Sequence, residues 1–317
     1  MTISYRMIFL QCFTIARHLA PGHNYSSYFC YSATSQLNST PEVMKIVRKC
    51  FARDLFRMAL TPVIAAALSL QIYALGSRLP QSVKAAGKIA LNNSTGIPMP
   101  FRVGETLNYD VSWSAFSTAA KIQLCVTEHR EILGSRTWHF RASAHTLSPL
   151  RSFLTIDDQI DSYTDTATFE SRQYEMYLYE MGKKDNQILH FSVAGRPQKA
   201  DVPVVVVSPG TLDPLGALYV LRQVHWQHTP EFRAPVFDGD DLVEMRAHLE
   251  AAKELVAVNA GNYSATRILV REYQHRVEVK GESLSICFAN DAARTPILLE
   301  AEIPFGSVRI ELSSLPH

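Results

Sequence analysis

Asp157, Asp158 and Asp161 form the densest acidic group in the part of this chain that reads as strands. Two carboxyl groups at a suitable separation can act as acid and base on a glycosidic bond. On a strand, though, Asp157 and Asp161 share one face and Asp158 takes the other, so the three do not converge, and a solvated strand edge is the simpler reading. His225 and His228 flank Trp226 at helical spacing and could ligate a metal if a third group joined them. No HExxH or His-x-His pattern supports that, and a helix C-terminus welcomes histidine for its interaction with the dipole. Asp238-Gly239-Asp240-Asp241 has the composition of a calcium loop without the ligand spacing of an EF-hand, so it reads as a hairpin turn.

Arg222 is the first charge after an apolar turn that contains Tyr219, and it stands out as a group that could meet a ligand. Trp113 and Trp138, with Tyr109, Phe140, Tyr177 and Tyr179, supply aromatic strand faces suited to an apolar or amphipathic molecule. These observations give Arg222, Tyr219, Trp113 and Trp138 as candidate ligand-binding residues, with no catalytic residue, metal or cofactor. GxSxG, the P-loop, GxGxxG and CxxC are all missing, which removes the common routes to an enzyme. Cys125 and Cys287 could form one bridge or stand as two buried thiols.

The elements that must hold these residues are strands. Leu107, Tyr109, Val111 and Trp113 alternate with polar residues, the period of a strand with one buried face. Residues 122–127, 138–144, 156–163, 169–180 and 188–193 continue the pattern across short turns, and 202–207, with Pro203, reads as an edge or connector. Asp213-Pro214 opens one helix that is apolar until Arg222, so it belongs in the core. Strands resume after the 238–241 loop at 243–249, 255–258, 263–273, 284–288, 297–303 and 308–312. The expected class is mainly β: a sandwich or, preferably, a curved antiparallel sheet or partly closed barrel with one buried helix.

The front of the chain is a different kind of sequence. Met58 to Gly76 carries no charge and follows Lys45, Arg48, Lys49, Arg53 and Arg57, the pattern of an export signal or a membrane anchor. The reading divides the chain into a tail or mis-assigned start at 1–43, a signal peptide or anchor at 44–76, a linker at 77–99, and one β-rich domain at 100–317. Residues 1–76 hold seven Lys and Arg against two acids, so of the formal net charge of +1 the remainder carries −4. That part offers no basic field for nucleic acid.

Three passages together carry a resemblance: Pro100-Phe101-Arg102-Val103-Gly104-Glu105-Thr106-Leu107-Asn108-Tyr109, Asp213-Pro214-Leu215-Gly216-Ala217-Leu218-Tyr219-Val220-Leu221-Arg222, and Ile303-Pro304-Phe305-Gly306-Ser307-Val308. In combination they resemble an uncharacterised bacterial exported family, domain of unknown function 3108, over about residues 100–312. The resemblance implies a place in the envelope of a Gram-negative-type bacterium and brings no activity. The expectation is a non-enzymatic periplasmic or envelope protein binding a lipid-like ligand or another envelope protein. If the N-terminal segment is uncleaved, it touches the inner membrane. An outer-membrane β-barrel and a hydrolase of envelope polymers are the alternatives; the chain end at 312–317 lacks the terminal aromatic of such barrels.

Overall fold

The computed structural model describes residues 99–114, 116–194, 202–279, 283–303 and 306–314. The tail, the uncharged run and nearly all of the linker lie outside the described residues, so the expectations for them stand as the sequence left them.

Fourteen strands are described: β1 Thr106–Trp113, β2 Phe116–Ile132, β3 Ser135–Thr146, β4 Asp157–Asp165, β5 Ser171–Glu180, β6 Lys183–Val193, β7 Val205–Val207, β8 Glu231–Phe237, β9 Leu242–Val258, β10 Gly261–Gln274, β11 Val277–Glu278, β12 Ser283–Ala289, β13 Pro296–Ile303 and β14 Gly306–Leu312. One α-helix, α1, spans Pro214–Leu221 between β7 and β8. The strands make one sheet in the order β7-β6-β5-β4-β3-β2-β1-β14-β13-β12-β10-β9-β8, with β11 beside β10. Every pair is antiparallel except β6 with β7. Neighbours in sequence are mostly neighbours in space because short turns return the chain directly alongside itself.

Period-two patterning sorts the two faces. Leu107, Tyr109 and Val111 of β1 and Ile122, Leu124 and Val126 of β2 are buried on the concave side. Asp110, Lys121, Gln123 and Arg141 stand on the convex side. Among the described residues no ladder joins the end strands β7 and β8. Instead Thr211 and Leu212 thread between the flanks: Ser171 N donates to Thr211 O (3.1 Å), Leu212 N to Pro235 O (2.9 Å) and Phe237 N to Leu212 O (2.9 Å). The sheet is therefore strongly curved but unclosed, with α1 laid against its concave face.

Both ends of α1 follow from its flanking residues. Asp213 is the N-cap, its Oδ1 accepting from Gly216 N at 2.8 Å, and Pro214 occupies the first helical position. At the other end Arg294 Nη1 donates to the carbonyls of Arg222 (3.0 Å), Gln223 (2.8 Å) and Val224 (3.4 Å), groups that a helix C-terminus leaves without partners.

Three expectations need correcting. The sequence reading places no strand at 231–237, where the structure has β8; Pro235 is tolerated there since β8 is an end strand and its carbonyl side faces Leu212. Residues 242–258 form one strand rather than two, with the register shift near Ala251 absorbed as an irregularity against β10. Tyr177 and Tyr179 do not join the concave aromatic face: Leu178 between them is buried, so both tyrosines point to the convex side.

Candidate functional site

Three of the four candidate ligand-binding residues come together. Tyr219 stacks on Phe140 at a centroid distance of 3.8 Å and 6° between planes. Phe101 meets Trp138 (5.2 Å), Phe140 (5.5 Å) and Tyr219 (5.2 Å) edge-on. The Arg222 guanidinium lies over the rings of Phe101 (5.4 Å) and Tyr219 (5.3 Å). Trp113 lies apart, stacked on Phe116 at 6.3 Å.

Arg222 is fully buried, and its partner is Glu105, 117 residues earlier: Nη1 to Oε1 is 2.6 Å and Nη2 to Oε2 is 3.1 Å. Nη2 also donates to Pro100 O (3.1 Å) and Ala293 O (3.0 Å). Burial would lower its pKa, but the Glu105 carboxylate outweighs burial and raises it. Glu105 was not singled out by sequence reasoning; the signal was its position in the first of the three recognisable passages, which packs on the second. Tyr109, from that same passage, donates through its hydroxyl to Pro296 O at 2.7 Å. Among the described residues the Tyr219 hydroxyl, Trp138 Nε1 and Arg222 Nε have no hydrogen-bond partner.

The other end of α1 is fastened by a second polar knot. Asp213 Oδ2 accepts from Ser162 Oγ (2.6 Å) and Ser171 Oγ (2.5 Å), and Asp213 N donates to Ser171 Oγ (2.6 Å). Burial raises the carboxyl pKa, and these hydrogen bonds with that from Gly216 only partly offset it.

The three aspartates of β4 occupy three environments. Asp161 sits on the convex side, where Oδ1 meets His139 Nε2 (2.5 Å) and Arg141 Nε (2.7 Å) and Oδ2 accepts from Gln159 (2.6 Å). Burial pushes its pKa up, but those three partners hold it below the usual carboxylate range. Asp157 is held bidentately by Arg151 at 2.8 and 2.6 Å. Asp158 faces the concave side, with Oδ1 accepting from Tyr179 N (2.9 Å), and burial pushes it up to about 6. The three carboxylates therefore hold separate sets of partners, Asp161 and Asp158 on opposite faces of β4. Asp238 Oδ1 accepts from the backbone N–H groups of Asp240 and Asp241, both at 2.8 Å, which is the expected turn. Among the described residues no three His, Cys, Asp or Glu side chains cluster as a metal site, and Cys125 and Cys287 are free thiols.

Two concavities adjoin α1. A seam of about 30 Å³ runs between the helix and the β8–β12 flank, lined by Leu218, Leu221, Val236, Met245 and Ile286, with Asp238 and Glu272 completing the wall. A more polar cleft of about 220 Å³ lies beyond the helix C-terminus, between His225–His228 and the loop Asn290–Arg294.

The profile of a protein family described as "Protein of unknown function (DUF3108)" matches residues 108–313. The chain belongs to that family. Among solved structures, a β-barrel-like protein of domain of unknown function DUF1849 from Brucella abortus is similar: 10% identity, 67% of this chain and 96% of that one, TM-score 0.43. A candidate exported protein with YmcC-like fold from Bacteroides fragilis has 11% identity over 68% and 97%, TM-score 0.33. A candidate lipoprotein from Parabacteroides distasonis has 10% identity over 67% and 95%, TM-score 0.28. No curated protein matches the chain.

Proposed function

We propose that this member of the DUF3108 family is an exported envelope protein that holds the apolar part of an amphipathic molecule in the seam under α1, and is not an enzyme. The observation that carries the reading is the unequal fastening of the helix. One flank of α1 is locked to β3 and β4 by the Phe140–Tyr219 stack and the Asp213 knot, while the other faces an apolar wall with space left between. As it stands, the seam has room for a water or two. An alkyl chain enters once Leu218, Leu221 and the flexible Met245 change rotamer. The uncharged run from Met58 to Gly76 supports export, as a cleaved signal or an inner-membrane anchor. An outer-membrane barrel is disfavoured because such a barrel needs an apolar outward band, whereas the convex face here carries Lys121, Arg141 and Asp161.

Native mass spectrometry of the chain purified from its host tests this. A bound mass removable by organic extraction, and lost in Ala217→Leu, which extends a side chain into the seam, is the expected result. A wild-type chain that is ligand-free in every preparation sinks the proposal.

A further inference from the structure

We infer that the cleft beyond the C-terminal end of α1 binds a small phosphate-class oxyanion, inorganic phosphate or a phosphomonoester, through Arg294, His225 and His228. None of the residues lining this cleft lines the seam, so this inference and the proposed function fail independently.

Arg294 is an arginine with no ion-pair partner among the described residues. Arg294 is half-buried, and its Nη1 is spent on three neutral carbonyls at the end of α1. Its backbone N–H donates to Asp291 O (3.3 Å) and Oδ1 (2.7 Å). Among the described residues no carboxylate comes within ion-pair distance of its guanidinium. The contrast with Arg222 is direct, since that guanidinium is neutralised by Glu105 at 2.6 Å.

The neighbours feel the imbalance. Burial and the nearby Arg222 charge push the Arg294 pKa down. Burial, then Arg294, then His228, push the His225 pKa down. A half-buried cation that makes a neighbouring imidazole harder to protonate contributes positive potential to the cleft, and an oxyanion seated there opposes the charge part of both shifts.

Geometry supplies the rest. The cleft is concave, about 220 Å³, with Trp226 and Phe288 among its walls and the two exposed histidines on the rim. The same imidazoles were metal candidates by spacing, but the third charged group facing them is a guanidinium, which repels a cation and attracts an anion. Arg presents a fixed fork of donors suited to phosphate, and only Nη1 of that fork is engaged. Asp291 is the opposing charge; it lies exposed on the rim, with Oδ1 occupied by the Arg294 N–H.

Isothermal titration of the full chain with sodium phosphate, glycerol 3-phosphate and sodium acetate at pH 5.5 and 7.5 tests the site. Saturable binding of both phosphates is expected at each pH. The double variant His225→Ala/His228→Ala should bind about tenfold more weakly at pH 5.5. That variant decides the matter because both side chains are exposed and the fold does not lean on them, whereas Arg294→Gln also uncaps α1. Tighter binding of glycerol 3-phosphate than of phosphate assigns the site to phosphomonoesters; equal binding assigns it to inorganic phosphate. No saturable phosphate binding at pH 5.5, equal affinity in the double histidine variant, or acetate binding as tightly as phosphate overturns the inference.

Discussion

The two flanks of α1 are built from similar apolar residues and yet behave as different materials. Against β3 and β4 the helix is seated in direct contact: Tyr219 lies flat on Phe140, and a Cβ added to Gly216 would stand 2.9 Å from Thr164 Oγ1. Against β8, β9, β10 and β12 the same helix meets Val236, Met245, Val270 and Leu284 across a seam that is not filled. The difference teaches that hydrophobicity alone places a helix in a core, while polar knots at its two ends decide which wall it is pressed against. Asp213 ties the N-terminus to Ser162 of β4 and Ser171 of β5, and Arg222 ties the C-terminus to Glu105 just before β1. Both carboxylates pull towards the same half of the sheet, while Ala293 and Arg294, in the loop between β12 and β13, hold the C-terminal end from the other half.

Cutting the C-terminal knot is the most damaging way to break the contrast. Arg222→Ala leaves the Glu105 carboxylate, only 11% exposed, without its cation and empties the space over the Phe101 and Tyr219 rings. Removing one member of a buried pair costs about 3–5 kcal/mol. Denaturant unfolding should show that loss in the single variant, and Arg222→Met with Glu105→Gln should recover part of it by removing the stranded charge while keeping apolar volume. A double variant no more stable than Arg222→Ala would mean that the aromatic platform, not the ion pair, holds the end of α1.

A smaller effect sharpens the comparison from the tight side. Gly216→Ala pushes a methyl towards Thr164 Oγ1 (2.9 Å), Asp213 Oδ2 (3.1 Å) and Ser162 Oγ (3.3 Å). Alanine is the better helix former, by about 1 kcal/mol. Overpacking opposes that by about 1–3 kcal/mol, so a net loss of about 1 kcal/mol is expected. A gain in melting temperature would show that β4 yields more readily than its buried hydroxyls suggest.

How much of this was legible beforehand depends on distance along the chain. Strand alternation is a local property, and Leu107, Tyr109 and Val111 announced their concave face without reference to anything else. The helix was equally readable, since Asp213-Pro214 caps it within three residues. Strand β8 was hidden because Pro235 argues against a strand unless one already knows that β8 lies at the end of the sheet. Arg222 could be picked out as unusual, but not what it binds, because Glu105, Pro100 and Ala293 reach it from 117, 122 and 71 residues away. The aromatic face was read only in part for a similar reason: Tyr177 and Tyr179 alternate with Met176 and Leu178, and which of the two sets faces inward is set by the register of β5 on β4.

The gentlest probe of the concave face is a proton. Asp158 is buried beside Glu180, and burial raises its pKa to about 6, with the Tyr179 N–H and Glu180 opposing and Asp157 adding to the rise. An acid whose folded pKa lies above its unfolded value of 3.8 contributes most to stability while it is protonated in both states. As pH climbs from about 4 to about 6 the unfolded chain ionises first, so this contribution falls, by about 3 kcal/mol at most. Asp158→Asn keeps the oxygen that accepts from Tyr179 N and removes the ionisation. Its unfolding free energy should therefore be flatter than wild type between pH 4 and 6 and higher than wild type at pH 7. If the two proteins keep the same slope across that window, the buried carboxyl is ionised in the fold, and the concave wall near β4 and β5 is wetter than its burial implies.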